Sequence, residues 1–108
     1  TTEQELTRTF AALSDPTRRA ILTQLAKGPA TVGDLAAPHR ISGGAITKHL
    51  KTLEAAGLIR QERRGQFRPC SLRAEGLAQA KAWIEDRQKF WQTQFDQLED
   101  YLNRTDGC

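Results

Sequence analysis

The chain lacks any run of about 18 apolar residues, so we expect no segment that spans a membrane. Thr1 to Leu13 is amphipathic and has no apolar centre, which argues against a signal peptide. Only two cysteines are present, too few for a disulfide framework in a chain of 108 residues. These absences favour a protein of the reducing cytoplasm.

Motifs of catalysis are also missing. There is no glycine-rich phosphate loop, no Cys-His or Ser-His-Asp arrangement, and no pair of acids flanking an evident pocket. The pair Gly43-Gly44 is no nucleotide fingerprint, because no strand precedes it. We therefore expect a protein that is not an enzyme and that has no cofactor.

The charge of the chain is unevenly distributed. The net charge is +3 overall, and the length predicts a single domain spanning 1–108. Residues 39–73 contain eight basic and two acidic groups, whereas residues 74–108 contain four basic and seven acidic groups. The excess of positive charge in the middle segment indicates an anionic partner for that segment.

The middle segment begins with a predicted helix at about 42–56. Its apolar residues recur at spacings of three and four, and Ser42 can cap the first turn. Gly57 suits the left-handed turn that ends a helix. The positions that share this spacing are Ala45, Ile46, His49, Leu50 and Leu53. The other face is polar or basic, as one expects of a helix that lies on nucleic acid.

A predicted two-stranded hairpin follows this helix. Leu58-Ile59 begin one strand, Phe67 to Leu72 form the other, and Gly65 supplies the turn. Basic residues crowd its tip: Arg60, Arg63, Arg64 and Arg68. A solvated charged turn is one interpretation. A basic hairpin directly after a basic helix face favours contact with phosphates, which gains from counterion release.

Three shorter helices precede this segment. Glu3 to Leu13 and Pro16 to about Lys27 form the first two, and Thr31 caps a third over Val32 to Ala37. The third helix, a turn at 38–40 and helix 42–56 make a helix-turn-helix unit. Arg18-Arg19 lie on the outer side of the second helix, where we expect simple solvation.

A long helix is predicted from Arg73-Ala74 to about Leu102, followed by a frayed tail, Asn103 to Cys108. Its seven-residue repeat favours pairing with a second copy, although part of the stripe must pack within its own subunit. The repeat consists of Leu77, Ile84, Trp91 and Leu98. On this helix the predicted dimer interface consists of Trp83, Phe90, Trp91, Phe95, Leu98 and Leu102.

Two runs of the sequence, Asp15 to Leu22 (DPTRRAIL) and Ile46 to Ile59 (ITKHLKTLEAAGLI), resemble the ArsR/SmtB family of bacterial transcriptional repressors. The wing and the long terminal helix are also similar. The resemblance implies a winged helix-turn-helix fold, mainly α with a small β-hairpin, and a homodimer that represses transcription at an operator with two-fold symmetry. It would also allow a phosphate contact by Arg18 or Arg19.

The same resemblance divides the chain into parts. Segments 1–14 and 74–103 would be dimerisation helices, 16–57 the helical core and 58–72 the β-wing. Leu6 and Phe10 of the first helix would join the dimer interface. The second helix of a helix-turn-helix enters the major groove by its N-terminal half. The predicted DNA contacts are Ser42, Gly43, Gly44, Thr47, Lys48, Lys51, Arg63, Arg64, Gln66 and Arg68. Thr47 could touch a base or a phosphate, whereas the lysines suit phosphates.

The effector is not evident in the sequence. Members of this family often sense metals through cysteines of the third helix or His and carboxylates of the last helix, and this chain has neither pattern. His49 lies beside the apolar face, where a packed residue is commoner than a ligand. We therefore expect no metal site and a regulator controlled by abundance, by a protein partner or by redox chemistry. For the last, Cys70 is the candidate because Arg68 could lower its thiol pKa.

One alternative belongs to another functional class. A winged helix with little DNA binding of its own could act as a protein-interaction module, with its long aromatic helix docked on another regulator. The pair Gly43-Gly44 keeps this alternative open, because it removes two side chains that could read bases. The basic segment favours DNA.

Overall fold

The computed structural model describes residues 3–106, and these form five α-helices, two short 3-10 helices and three strands. The elements in chain order are α1 (Glu3–Leu13), α2 (Pro16–Leu25), β1 (Ala30–Thr31), α3 (Val32–Ala36), a 3-10 helix (Ala37–His39), α4 (Gly43–Ala55), β2 (Ile59–Gln61), β3 (Pro69–Leu72), a second 3-10 helix (Ala74–Leu77) and α5 (Ala78–Asp106). None of the helices in this range is both long and apolar enough to cross a membrane.

The helix-turn-helix, α3 and α4, begins each of its helices with a side-chain cap. Thr31 and Asp34 form the reciprocal capping box that their spacing predicted, and it satisfies amide groups at the start of α3. Ser42 Oγ accepts a hydrogen bond from the amide of Ala45 at 3.1 Å. Because these capping side chains satisfy amide groups that have no partner within the helix, both helices start where the sequence predicted.

The sheet has three antiparallel strands in the order β1-β3-β2, not the two that the sequence predicted. Ala30 pairs with Cys70, and Ile59 pairs with Leu72. The added strand, β1, is two residues long, which is too short to show an alternating pattern. The second wing strand also begins later than predicted, at Pro69, and Phe67 makes only an isolated bridge to Arg64.

The core lies where the apolar faces of α2, α3 and α4 meet the sheet. The predicted inward face of α4 is confirmed for Ile46, Leu50 and Leu53, which are almost fully buried. The rest of the cluster consists of Ala12, Ile21, Leu25, Leu35, Leu58, Ile59 and Cys70. The opposite face of α4 is thereby left to solvent.

The last helix differs from its predicted bounds at both ends. A 3-10 turn takes up residues 74–77, and α5 then runs for 29 residues to Asp106. The prediction of a frayed tail was therefore wrong for residues 103–106, while Gly107 and Cys108 lie outside the described residues. A helix of this length measures roughly 43 Å, more than half of the 75 Å long axis of the molecule.

The start of this helix is packed tightly against the end of α4. Gly57 ends α4 with a φ of 75°, the left-handed conformation that the sequence predicted there. A methyl group on Gly76 would overlap the carbonyl oxygen of Gly57, so the two backbones touch at this point. The amide of Arg73 also donates to the carbonyl of Leu58 at 2.8 Å. The orientation of α5 is therefore tied to that of α4.

Candidate nucleic-acid interface

The outer face of α4 presents the residues predicted to contact DNA. Gly43, Gly44, Lys48 and Lys51 are exposed along it, and Thr47 is half-buried. The Thr47 hydroxyl donates to the carbonyl of Gly43 at 2.7 Å. Since its proton is used inside the helix, Thr47 offers a partner its oxygen lone pair and its methyl group.

The two glycines at the start of α4 are not required by packing. A Cβ atom built on Gly43 meets nothing within 4 Å, and one on Gly44 meets only Ser42 Oγ at 3.9 Å. Both lie in the helical first turn, where alanine is favoured over glycine. Their smallness leaves the backbone at this end of the helix open to close approach by a large partner.

The wing tip is a tight turn with basic side chains. Arg64 and Phe67 exchange backbone hydrogen bonds, each of 3.0 Å, around Gly65, whose φ is 61°. Arg64 also pairs with Glu62 at 3.3 Å, an exposed ion pair that contributes little to stability. The predicted wing contacts are all exposed: Arg63, Arg64, Gln66 and Arg68.

The helix and the wing share one concave surface. Thr47 and Arg68 line two adjoining grooves, one of about 380 Å³ and one of about 270 Å³. A hydrogen bond ties the wing to α4: Glu54 Oε2 on α4 accepts from the amide of Gln61 on β2 at 3.3 Å. Residues that the sequence assigned to two separate elements therefore border the same space.

Arg40, in the turn before α4, is an exposed basic residue that the sequence did not point to. It has a φ of 51° and is the one non-glycine residue with positive φ among residues 3–106. It is exposed, and two residues separate it from the first residue of α4, Gly43. Glycine or asparagine is usual in this conformation, so the sequence carried no signal for the turn geometry. The strain places one more cation beside the start of α4.

Arg18 and Arg19 are not simply solvated, which corrects the prediction made for them. Arg18 donates from Nε to the carbonyl of Ala12 at 2.8 Å and from Nη2 to that of Ala11 at 3.1 Å. Arg19 donates to the carbonyl of Leu13 at 2.7 Å. Both side chains thus donate to carbonyl groups in the last turn of α1, where helical partners run out, and the Ala11 carbonyl also accepts from the amide and hydroxyl of Ser14.

The same cluster includes His49, which is half-buried with polar partners. Its Nδ1 atom lies 3.2 Å from Arg18 Nη1 and 4.0 Å from a carboxylate oxygen of Asp15. The amide of Arg18 donates to Asp15 at 3.0 Å, and this bond, together with the nearby His49 and Arg18 charges, lowers the pKa of the Asp15 carboxyl. The arrangement is a junction of three helices rather than a ligand site.

The first and last helices come together through aromatic rings. Phe10 meets Trp83 edge to face, with ring centroids 5.6 Å apart, and the Arg87 guanidinium lies 5.3 Å from the centre of the Trp83 ring. Beyond Trp83 the apolar stripe of α5 has little cover within one chain. The residues more than half exposed are Phe90, Trp91, Phe95, Leu98, Tyr101 and Leu102.

Cys70 does not have the environment that a redox role requires. Its side chain is fully buried in β3, and burial raises the pKa of the thiol, with a further contribution from Glu54. Its sulfur lies 3.8 Å from the Arg68 carbonyl, so that residue offers a dipole and not its charge. Burial and the raised thiol pKa both argue against the redox hypothesis for Cys70, because a reactive cysteine needs access and thiolate character. Cys108 lies outside the described residues.

Comparison with known proteins places the central segment of the chain in a known domain family. Residues 13–62 match the family described as a helix-turn-helix domain. The chain is 40% identical over 84 residues to the HTH-type transcriptional regulator Rv2034 of Mycobacterium tuberculosis, covering 78% of this chain and 76% of that protein. It is 43% identical over 75 residues to the transcriptional repressor SdpR of Bacillus subtilis, covering 69% and 83%.

Solved structures agree with these relatives. A crystal structure of an ArsR family transcriptional regulator superposes with a TM-score of 0.78 at 40% identity, covering 82% of this chain and 97% of that one. The solution structure of a homodimeric winged helix-turn-helix DNA-binding domain from Mycobacterium bovis has a TM-score of 0.64 at 23% identity and covers 80% of each chain. The second comparison supports the winged-helix fold.

Proposed function

The chain belongs to the ArsR family of helix-turn-helix transcriptional regulators, and we propose that it acts as a homodimeric repressor on an operator with two-fold symmetry. Family membership makes it a DNA-binding regulator and not an enzyme, as the sequence predicted. Repression is proposed because the similar protein of Bacillus subtilis is a transcriptional repressor. We expect the cytoplasm as its location, since a bacterial operator lies there.

The observation that carries this proposal is the common surface of helix and wing. Thr47 and Arg68 border both grooves, and exposed cations flank them on α4 and on the hairpin. We assign α4 to the major groove of a half-site, with Ser42, Gly43, Gly44 and Thr47 nearest the bases. Lys48 and Lys51 would meet phosphates, and the wing residues Arg63, Arg64, Gln66 and Arg68 would lie along the adjacent backbone.

A second copy accounts for the exposed stripe of α5. Six large aromatic or aliphatic side chains of α5 are more than half exposed, and exposed apolar patches of this kind mark interaction sites. The similar domain from Mycobacterium bovis is homodimeric. We therefore assign the interface to Leu6 and Phe10 of α1 and to Trp83, Phe90, Trp91, Phe95, Leu98 and Leu102 of α5. A different protein partner on this stripe is the alternative assignment.

Fluorescence anisotropy tests the proposal directly. A labelled duplex from upstream of the chain's own gene and a shuffled duplex of equal composition are titrated at physiological salt. Tight binding to the first duplex alone is expected. Weak and equal binding to both would reject the repressor and favour the protein-interaction module.

Two variants distinguish a residue that contacts bases from one that contacts phosphates. Arg64→Ala should weaken binding to both duplexes and reduce the slope of log affinity against log salt by about one. Thr47→Ala should instead change the preference between sequences. Lys89→Ala removes an exposed cation from α5 and should leave both quantities unchanged. Equal losses on both duplexes for Thr47→Ala would remove its base-reading role.

A further inference from the structure

The wing tip combines its cations with one exposed aromatic ring. Phe67 is 66% exposed, and it does not belong to the hydrophobic core. Its two backbone hydrogen bonds to Arg64 set its position next to the turn at Gly65. The ring is therefore presented by a closed hairpin and not by a loose loop.

The surroundings of this ring define the partner it suits. Phe67 lines the 380 Å³ groove together with Thr47, Leu50 and Arg68, so it faces the space between the wing and α4. Arg68 follows Phe67 in the chain, Arg64 pairs with Phe67 through the backbone across the turn, and both arginines are exposed. An apolar ring between cations matches a partner whose anionic groups flank an apolar surface. The backbone of duplex DNA has that chemistry, because phosphates alternate with deoxyribose faces.

We propose that Phe67 is a DNA-contacting residue that packs against the deoxyribose wall of the groove entered by the wing. This inference rests on the proposed function and adds to it an apolar contact at a site otherwise described by charge. Side chains of this type are used against the minor groove by proteins that bind there. The arginines on either side would hold the flanking phosphates and so fix the ring against the sugars.

The contact has a signature that separates it from the arginines. Neutralising a phosphate releases counterions and makes binding depend on salt, whereas burying an apolar ring releases none. Loss of the ring should therefore lower the affinity equally at every salt concentration. Loss of Arg64 should lower the affinity most at low salt and flatten the slope.

The experiment is an anisotropy titration of the operator duplex from about 50 to 200 mM salt with wild type, Phe67→Ala, Phe67→Leu and Arg64→Ala. Phe67→Ala should weaken binding roughly tenfold with an unchanged salt slope, and Phe67→Leu should retain most of the affinity. The thermal midpoint of Phe67→Ala should match that of wild type, because the ring makes no contact with the core. This last measurement excludes misfolding as the cause.

Each other outcome has a definite meaning. If wild type binds the operator and Phe67→Ala binds equally well, the inference fails and the proposed function stands. If Phe67→Ala loses affinity together with salt slope, the wing has been displaced, and the inference fails as well. If wild type itself shows no preference for the operator, the proposed function fails first and the inference falls with it.

Discussion

The guanidinium of Arg18 lies 3.2 Å from His49 Nδ1, and through this contact α2 is joined to the middle of α4. The same side chain donates to Ala11 and Ala12 at the end of α1. One residue thereby links a helix of the proposed dimer interface to the helix proposed to read DNA.

Replacing Arg18 should lower stability and leave the DNA surface intact. Arg18→Ala removes three contacts of a half-buried cation and should reduce the free energy of unfolding by about 1.5–3 kcal/mol, the range for hydrogen bonds to charged groups. Arg19→Ala is the matched control, since its exposed side chain makes one bond, to Leu13. Urea unfolding measures both. Equal effects for the two variants would contradict the linking role of Arg18.

Acid should weaken the same junction through Asp15. The pKa of its carboxyl is lowered in the folded chain, so its contribution to stability is present above its ordinary value and is lost as the pH falls through the folded value. Asp15→Asn keeps a capping oxygen without the charge. Its thermal midpoint should lie below that of wild type at pH 6, and the gap should begin to narrow as the pH falls below about 3.8, the ordinary pKa of the carboxyl. A gap that stays constant would show that the charge contributes nothing.

Replacing a glycine in the first turn of α4 should raise the stability of the free protein and lower its operator affinity. Gly44→Ala meets no obstacle in the free chain and should stabilise it by about 0.4–1 kcal/mol. The added methyl group stands on the face proposed to approach DNA, so operator affinity should fall. Thermal melts and anisotropy on the same preparation check both parts. A stabilised variant with full affinity would mean that DNA does not come close to this turn.

Cys70 should be inert to oxidants. Because the thiol is buried and its pKa is raised, peroxide treatment of the folded protein should leave operator affinity unchanged. Cys70→Ser places a hydroxyl in the core and should lower stability by about 1–3 kcal/mol. Cys70→Ala leaves a smaller but apolar side chain there and should lower stability less. Mass spectrometry after oxidation reports the thiol directly. Modification of Cys70 at native conditions would show that the core opens.

The proposed dimer depends on the outer part of α5. Phe95→Asp places a charge in the exposed stripe and should weaken self-association roughly thirtyfold or more, as for a residue whose loss costs about 2 kcal/mol. Thr93→Asp adds the same charge on the polar side of the helix and serves as the control. Sedimentation equilibrium compares the two. Identical masses for both variants would assign the stripe to a different partner.

The parts of the fold that the sequence predicted are those set by local signals. Spacing and capping residues located α4, since Ile46, Leu50 and Leu53 share one face and Ser42 precedes it. The strand at Ala30 escaped notice because its pairing with Cys70 joins residues distant in the chain. Arg18 was misjudged for a similar reason, because its acceptors are carbonyls of another helix. The positive φ of Arg40 opposes its residue type, so no local pattern could indicate it.

The unequal charge of the two ends affects how the molecule meets DNA. The helix and wing form a positive end, while α5 carries an excess of acidic side chains. The electric field of DNA exerts a torque on a protein with this charge distribution and turns its positive end toward the DNA before contact. More of its collisions then begin in a productive orientation. Association at low ionic strength should consequently be faster than the modest net charge of +3 alone would suggest.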